Sequence, residues 1–173
     1  MYVLIVDNAN EDKAYFTPKL IRHVKKHHKT VVVHNLEEIH KVSWSKVSHV
    51  ILSGGPLLLS GCTEAAQWSM NIFPLLTFDG PILGICFGMQ VMTVAYGGSL
   101  RRLKKFIKGH RTVGKRKVSY AYNDTVSIVP PNFKVTEKCG ALVAAMRYKN
   151  RFAVQYHPED GNTDIIDSFL AKE

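Results

Sequence analysis

A thiol, an imidazole and a carboxylate stand in this chain where they could act together. Cys86 is the centre of Gly84-Ile85-Cys86-Phe87-Gly88, a glycine–x–nucleophile–x–glycine segment with cysteine as the nucleophile. It follows an apolar run and precedes a helical pattern. A sharp strand-to-helix turn there would hold the cysteine in a strained backbone geometry, with glycines at 84 and 88 relieving the crowding. The helix N-terminus favours thiolate over thiol, and the Phe87 N–H can meet a developing oxyanion. In isolation such a segment more often surrounds a buried structural cysteine. His157-Pro158-Glu159, near the end of the chain, changes that reading. His157 can serve as general base and acid. Glu159, two residues on, can hold the second ring nitrogen and stabilise the protonated ring. The other seven histidines have no comparable setting, and no spacing of ligand residues matches a metal site.

These residues must be positioned by the elements before them. Tyr2–Val6, Thr30–His34, His49–Leu52 and Pro81–Ile85 read as strands. Phe16–Lys26, Leu36–Val42, Ala65–Phe73 and the segment from Cys86 to Ala95 read as helices, the third stopped near Pro74. Strands alternating with helices imply βαβ units and a parallel sheet with right-handed crossovers. Later runs (Arg116–Tyr120, Thr125–Ile128, Lys134–Thr136, Ala141–Tyr148, Phe152–Tyr156) read as mostly antiparallel strands, and Thr163–Leu170 as a last helix. In a sheet of this kind functional residues belong at the strands' carboxyl ends. Gly54-Gly55-Pro56, Cys86 and His157 all fall there.

Three blocks together resemble the class I (triad-type) glutamine amidotransferases. They are Ile51-Leu52-Ser53-Gly54-Gly55-Pro56, then Pro81 to Gln90 around Cys86, then Val154-Gln155-Tyr156-His157-Pro158-Glu159. The resemblance spans nearly the whole chain. It implies a three-layer, flavodoxin-like α/β fold with an open sheet, mostly parallel with antiparallel C-terminal strands. It also implies a reaction. The Cys86 thiolate attacks the side-chain amide of L-glutamine, and the backbone N–H groups of Gly55 and Phe87 hold the oxyanion. His157 protonates the departing ammonia, and water then releases glutamate from a γ-glutamyl thioester. Gln90 matches the family position that helps hold the substrate, to which Gly55 also contributes. No cofactor is implied. Within the family, Ala95-Tyr96-Gly97-Gly98, Asn123-Asp124-Thr125-Val126 and Val129 to Val135 look most like the amidotransferase part of GMP synthase. Such domains pass ammonia to a synthetase, for which 173 residues leave no room, so a partner synthetase is expected. A γ-glutamyl peptide hydrolase of related fold, or a catalytically silent regulatory protein on this fold, are the alternatives.

Two departures from the family pattern stand out. Leu57-Leu58-Leu59 follows Gly54-Gly55-Pro56 where relatives carry a glycine or a small polar turn. These leucines could face a partner, reshape the glutamine pocket or pack into the core. Tyr122 stands where relatives often have histidine.

The bulk properties fit one soluble domain over residues 1–173, with 46% hydrophobic and 21% charged residues. The first apolar run is too short for a membrane span or signal peptide, and the sparse cysteines (Cys62, Cys86, Cys139) form no disulfide framework; a cytoplasmic location is expected. The net charge is +9, and nine of the cations lie between Arg101 and Lys117 without one acid. That segment reads first as a solvated connection between strands. Its sharper reading is a docking surface for an acidic partner or its nucleotide substrate. With Phe106 its only aromatic residue, nucleic-acid binding is not expected.

Overall fold

The computed structural model describes residues 1–9, 15–61 and 65–172. Cys62 lies outside them; Cys86 and Cys139 are free thiols. A seven-stranded sheet runs through the molecule. Its strands are β1 (Tyr2–Val6), β2 (Thr30–Val33), β3 (Val47–Leu52), β4 (Ile82–Ile85), β7 (Lys134–Cys139), β8 (Leu142–Tyr148) and β9 (Arg151–Val154), in the order β2-β1-β3-β4-β9-β8-β7. The first five in that order are parallel, and β8 and β7 close the edge antiparallel. The Phe152–Tyr156 run therefore differs from expectation on one side: β9 pairs antiparallel with β8 but parallel with β4.

Side-chain alternation explains why both faces are covered. Val3 and Ile5 point into one core and Leu4 and Val6 into the other, all fully buried. Helices α2 (Leu36–His40), α3 (Ala65–Thr77) and α4 (Phe87–Ala95) cover the Leu4 face through Ile39, Met70 and Met89. Helices α1 (Thr17–His27) and α5 (Asp164–Leu170) cover the Val3 face through Leu20, Val24, Ile166 and Phe169. The expected three-layer architecture is present. No described helix is long and apolar enough to cross a membrane.

Two expectations are corrected. Pro74 does not end α3, which continues to Thr77; Leu75 packs into the core, and Phe78 N–H still closes a turn on the Pro74 carbonyl. Burial of Leu75 outweighs the one hydrogen bond that proline removes. The basic segment is not a solvated connection. It forms β5 (Ser99–Val113), which pairs antiparallel with β6 (Arg116–Ile128) in a separate two-stranded ribbon. Strand β6 also joins Arg116–Tyr120 and Thr125–Ile128 into one strand. Its register with β5 slips between Arg102 and Ile107, so Leu103 to Phe106 form a bulge.

Candidate active site

Strand β4 delivers Cys86 to the sheet's carboxyl edge. The Cys86 N–H donates to the Val154 carbonyl (2.8 Å), and the chain then turns at once into α4. The turn forces Cys86 to φ 50°, ψ −101°, in a region side chains rarely adopt. Both flanking glycines are steric requirements. A Cβ on Gly84 would lie 2.7 Å from the Gly88 carbonyl, and one on Gly88 would lie 2.3 Å from the Leu52 carbonyl oxygen. The nucleophile turn is thus wedged between β3 and β4.

His157 arrives from the other side of the same edge, three residues beyond β9. Its N–H donates to the Ser119 carbonyl of β6 at 2.9 Å. Its Nδ1 meets Glu159 Oε1 at 2.9 Å, which leaves Nε2 for Cys86. Both side chains of this His–Glu pair are almost wholly buried. Burial alone lowers the imidazole pKa. The charges of Cys86 and Glu159 and hydrogen bonds to both outweigh it, and the net shift is upward from 6.5. The upward shift favours the protonated ring.

Sequence reading missed several residues that hold this arrangement. Phe16, which precedes α1, stacks on the His157 ring with centroids 3.6 Å apart and 8° between planes. Asn8, just beyond β1, and Asn71 of α3 exchange side-chain hydrogen bonds of 2.9 and 2.7 Å. Asn8 also donates to Ser53 Oγ and to the Ser53 carbonyl, so a buried polar knot fixes the turn that leads to Gly54 and Gly55. Lys19 pairs with Asp160 at 2.5 Å, and Asp160 accepts a 2.6 Å bond from Ser119 Oγ. Single polar residues of this sort carry no periodicity and match no motif. Only the position of Asn8 at a strand's carboxyl end could have marked it.

A cavity of about 280 Å³ opens over Cys86, lined by Gly55, Leu57, Gln90, Tyr122, Asn123 and His157 among others. Gly55, Cys86, Gln90 and His157 therefore converge on the cavity, Glu159 stands behind His157, and the Phe87 side chain is in the core while its N–H opens α4. A first-turn N–H of a helix lacks an intrahelical acceptor. Gln90 lies one turn along α4 and donates Nε2–H to the Asp124 carbonyl at 2.8 Å. The three leucines divide their roles. Leu59 is in the core, Leu57 packs against the core and also lines the cavity, and Leu58 lines the cavity while partly exposed. Ser60 ends this stretch by donating N–H and Oγ–H to Asp124 at 2.8 and 2.7 Å. Burial foremost, with the charges of Cys139 and Cys86 against the opposing pull of Arg111, pushes the Tyr122 phenol up to about 12. Tyr122 is therefore a neutral wall of the cavity. Among the described residues no cluster could hold a metal ion.

Comparison with known proteins places this geometry. Residues 9–173 match the family model for glutamine amidotransferase class-I. A glutamine-hydrolysing GMP synthase of Thermobifida fusca is 31% identical over 97% of this chain and 34% of its own length. A glutamine-hydrolysing GMP synthase subunit from Methanothrix thermoacetophila is 28% identical over 98% of this chain and 97% of its own. The chain spans about a third of the length of the first of these relatives. Among solved structures, a Thermoplasma acidophilum protein described as a GMP synthase subunit superposes with TM-score 0.82 at 22% identity, covering 97% of this chain and 91% of its own. A glutamine amidotransferase of Thermotoga maritima gives TM-score 0.69 at 19% identity, over 91% of this chain and 75% of its own. At these identities the structural likeness establishes the fold.

Proposed function

The chain belongs to the class-I glutamine amidotransferases, and on that premise we propose that it hydrolyses L-glutamine to glutamate and ammonia with Cys86 as nucleophile, His157 as acid and base, and Glu159 as the imidazole's anchor. The observation that carries this reading is the Cys86 turn. A buried thiol held at positive φ beside an imidazole, itself pinned by a buried carboxylate, carries strain of the kind that clusters at reactive sites.

The Cys86 thiolate adds to the side-chain carbonyl carbon of glutamine, and the carbonyl electrons move onto oxygen. The N–H groups of Gly55 and Phe87 receive that oxyanion. His157 gives its Nε2 proton to the nitrogen, the C–N bond breaks and ammonia leaves, with the γ-glutamyl group on sulfur. Water gives a proton back to Nε2 as it attacks the thioester; the C–S bond breaks, releasing glutamate and restoring the thiolate–imidazolium pair. Gln90 holds the substrate from α4.

We further propose that ammonia passes to a synthetase partner, as the names of the GMP synthase relatives imply for those proteins. The ribbon supports this: Phe106 lines the cavity mouth and is 59% exposed, and the neighbouring Lys104, Lys105 and Lys108 are exposed too. Incubation with L-glutamine, read as glutamate, ammonia and a thioester mass on the Cys86 peptide, tests the chemistry. Labelling of Cys86 by an acivicin-type electrophile is expected. Cleavage of γ-glutamyl peptides but not of glutamine would sink the reading, as would absence of labelling even with the partner present.

A further inference from the structure

Gln155 follows β9 directly and has no exposed surface. Its backbone N–H donates to the Ala144 carbonyl at 2.9 Å. Its side-chain amide lies against the nucleophile, with Nε2 3.7 Å from Cys86 Sγ. The ladder between β4 and β9 sets this contact. Ile85 pairs with Val154, so the next residue on each strand, Cys86 and Gln155, leaves the sheet side by side. At the far end of the amide, Oε1 is buried and has no hydrogen-bond partner among the described residues. An orphaned buried acceptor costs free energy, and an apolar side chain of similar length would avoid that cost. The amide therefore serves something other than stability.

The neighbours of Sγ indicate what that is. The Ala121 carbonyl, 3.8 Å away, is an acceptor, which suits a thiol. The Gln155 Nε2–H is a donor, which suits a thiolate. We propose that Gln155 is a thiolate-stabilising residue, donating Nε2–H to Cys86 Sγ when the sulfur is paired with imidazolium and again when thioester cleavage returns the electron pair to it. This rests on Cys86 being the nucleophile. The titratable groups facing the sulfur are His157, backed by Glu159, and Tyr122 from β6. None of them is altered by a change at Gln155.

The test is the pH dependence of iodoacetamide alkylation at Cys86, assigned by peptide mapping, in the wild type, Gln155→Met and Gln155→Glu, with melting temperatures alongside. Wild-type Cys86 should react faster than Cys139 near neutral pH. Gln155→Met should displace the acid limb upward by about one pH unit, roughly a ten-fold slower reaction on that limb. Its melting temperature should be unchanged or higher, the opposite of what a structural role would give. Gln155→Glu, which sets a carboxyl group against the sulfur, should displace the limb further. A folded Gln155→Met whose profile superimposes on the wild type overturns the proposal and leaves Cys86 as nucleophile. If Gln155→Met does not fold, an unshifted profile in the nearly isosteric Gln155→Glu overturns it instead. Wild-type Cys86 reacting no faster than Cys139 overturns the nucleophile reading itself.

Discussion

Phe16 and His157 lie face to face, 3.6 Å between ring centroids, so an aromatic residue from the start of the chain sets the plane of the imidazole near its end. Glu159 fixes the ring at Nδ1, and Phe16 stops it from tilting about that bond. Phe16→Ala should therefore lower kcat by about ten- to a hundred-fold through misplacement of Nε2, while costing only about 1 kcal/mol of lost ring stacking beyond its area. Phe16→Tyr should retain most activity. Steady-state glutaminase kinetics and thermal melts of both variants check this.

The raised pKa of His157 has a stability consequence with a definite sign. Its folded value lies above the unfolded value, so its contribution is complete below the unfolded 6.5 and is lost as pH rises through the raised folded value. The wild type should lose stability on the alkaline side through this residue. Glu159→Gln removes one source of the upward shift, so its alkaline loss should start at the same pH but be smaller and be complete at lower pH. Its activity should fall less than that of Cys86→Ala, because in the proposed mechanism Glu159 orients His157 and does not react itself. Melting temperature against pH, in parallel for both proteins, gives the comparison.

Positive φ at Cys86 reverses a familiar order of substitution. Both Cys86→Ala and Cys86→Gly should abolish turnover. At an ordinary buried position the alanine variant would be the more stable. Here Cys86→Gly should be more stable than Cys86→Ala by about 1 kcal/mol, because glycine relieves the strained backbone. Denaturant titration of the pair measures it.

Two glycines near the nucleophile should fail in different ways when given a methyl group. On Gly88 it would meet the backbone oxygen of Leu52, which cannot yield, so Gly88→Ala should cost about 3 kcal/mol or more. On Gly54 it would lie 2.6 Å from His157 Cε1, a side-chain atom, with Cys86 Cβ 3.6 Å away. Gly54→Ala should fold with a smaller stability loss and lose activity by displacing the imidazole. Equal losses of stability in the two variants would contradict this.

The motif-bearing part of the site was legible because each of its blocks ends a strand of one sheet. Cys86, His157 and Gly55 are local features of turns whose chemistry depends on a few adjacent residues. What could not be read came from across the sheet. Phe16 and Asn71 belong to other elements, and nothing in their own neighbourhoods points to His157 or Asn8. Gln155 sat in plain view inside the histidine block, but its role depends on the β4–β9 register, which no single strand contains. Strand β5 was hidden because most of its side chains are exposed, six of them Lys or Arg, and its bulge interrupts the two-residue period. Pro74 misled because local hydrogen-bond chemistry argues for a stop that tertiary burial of Leu75 overrides.

The ribbon of β5 and β6 is not hydrogen-bonded into the main sheet's ladder, yet Phe106, Ala121, Tyr122 and Asn123 form part of the cavity wall. Cys86 and the proposed acid–base pair come instead from the β4 and β9 edge. The proposed reacting groups thus come from the main sheet's edge, and much of the enclosure around them comes from the ribbon, whose Ser119 also holds the His157 N–H. The bulge at Leu103–Phe106 and the tip at Gly114 are separate in sequence from Ser119, Ala121 and Asp124, the ribbon residues that meet His157, Cys86 and Gln90, so changes confined to them should leave those contacts in place. An enzyme built this way can acquire a new associate, or a new threshold for admitting substrate, by changing one hairpin.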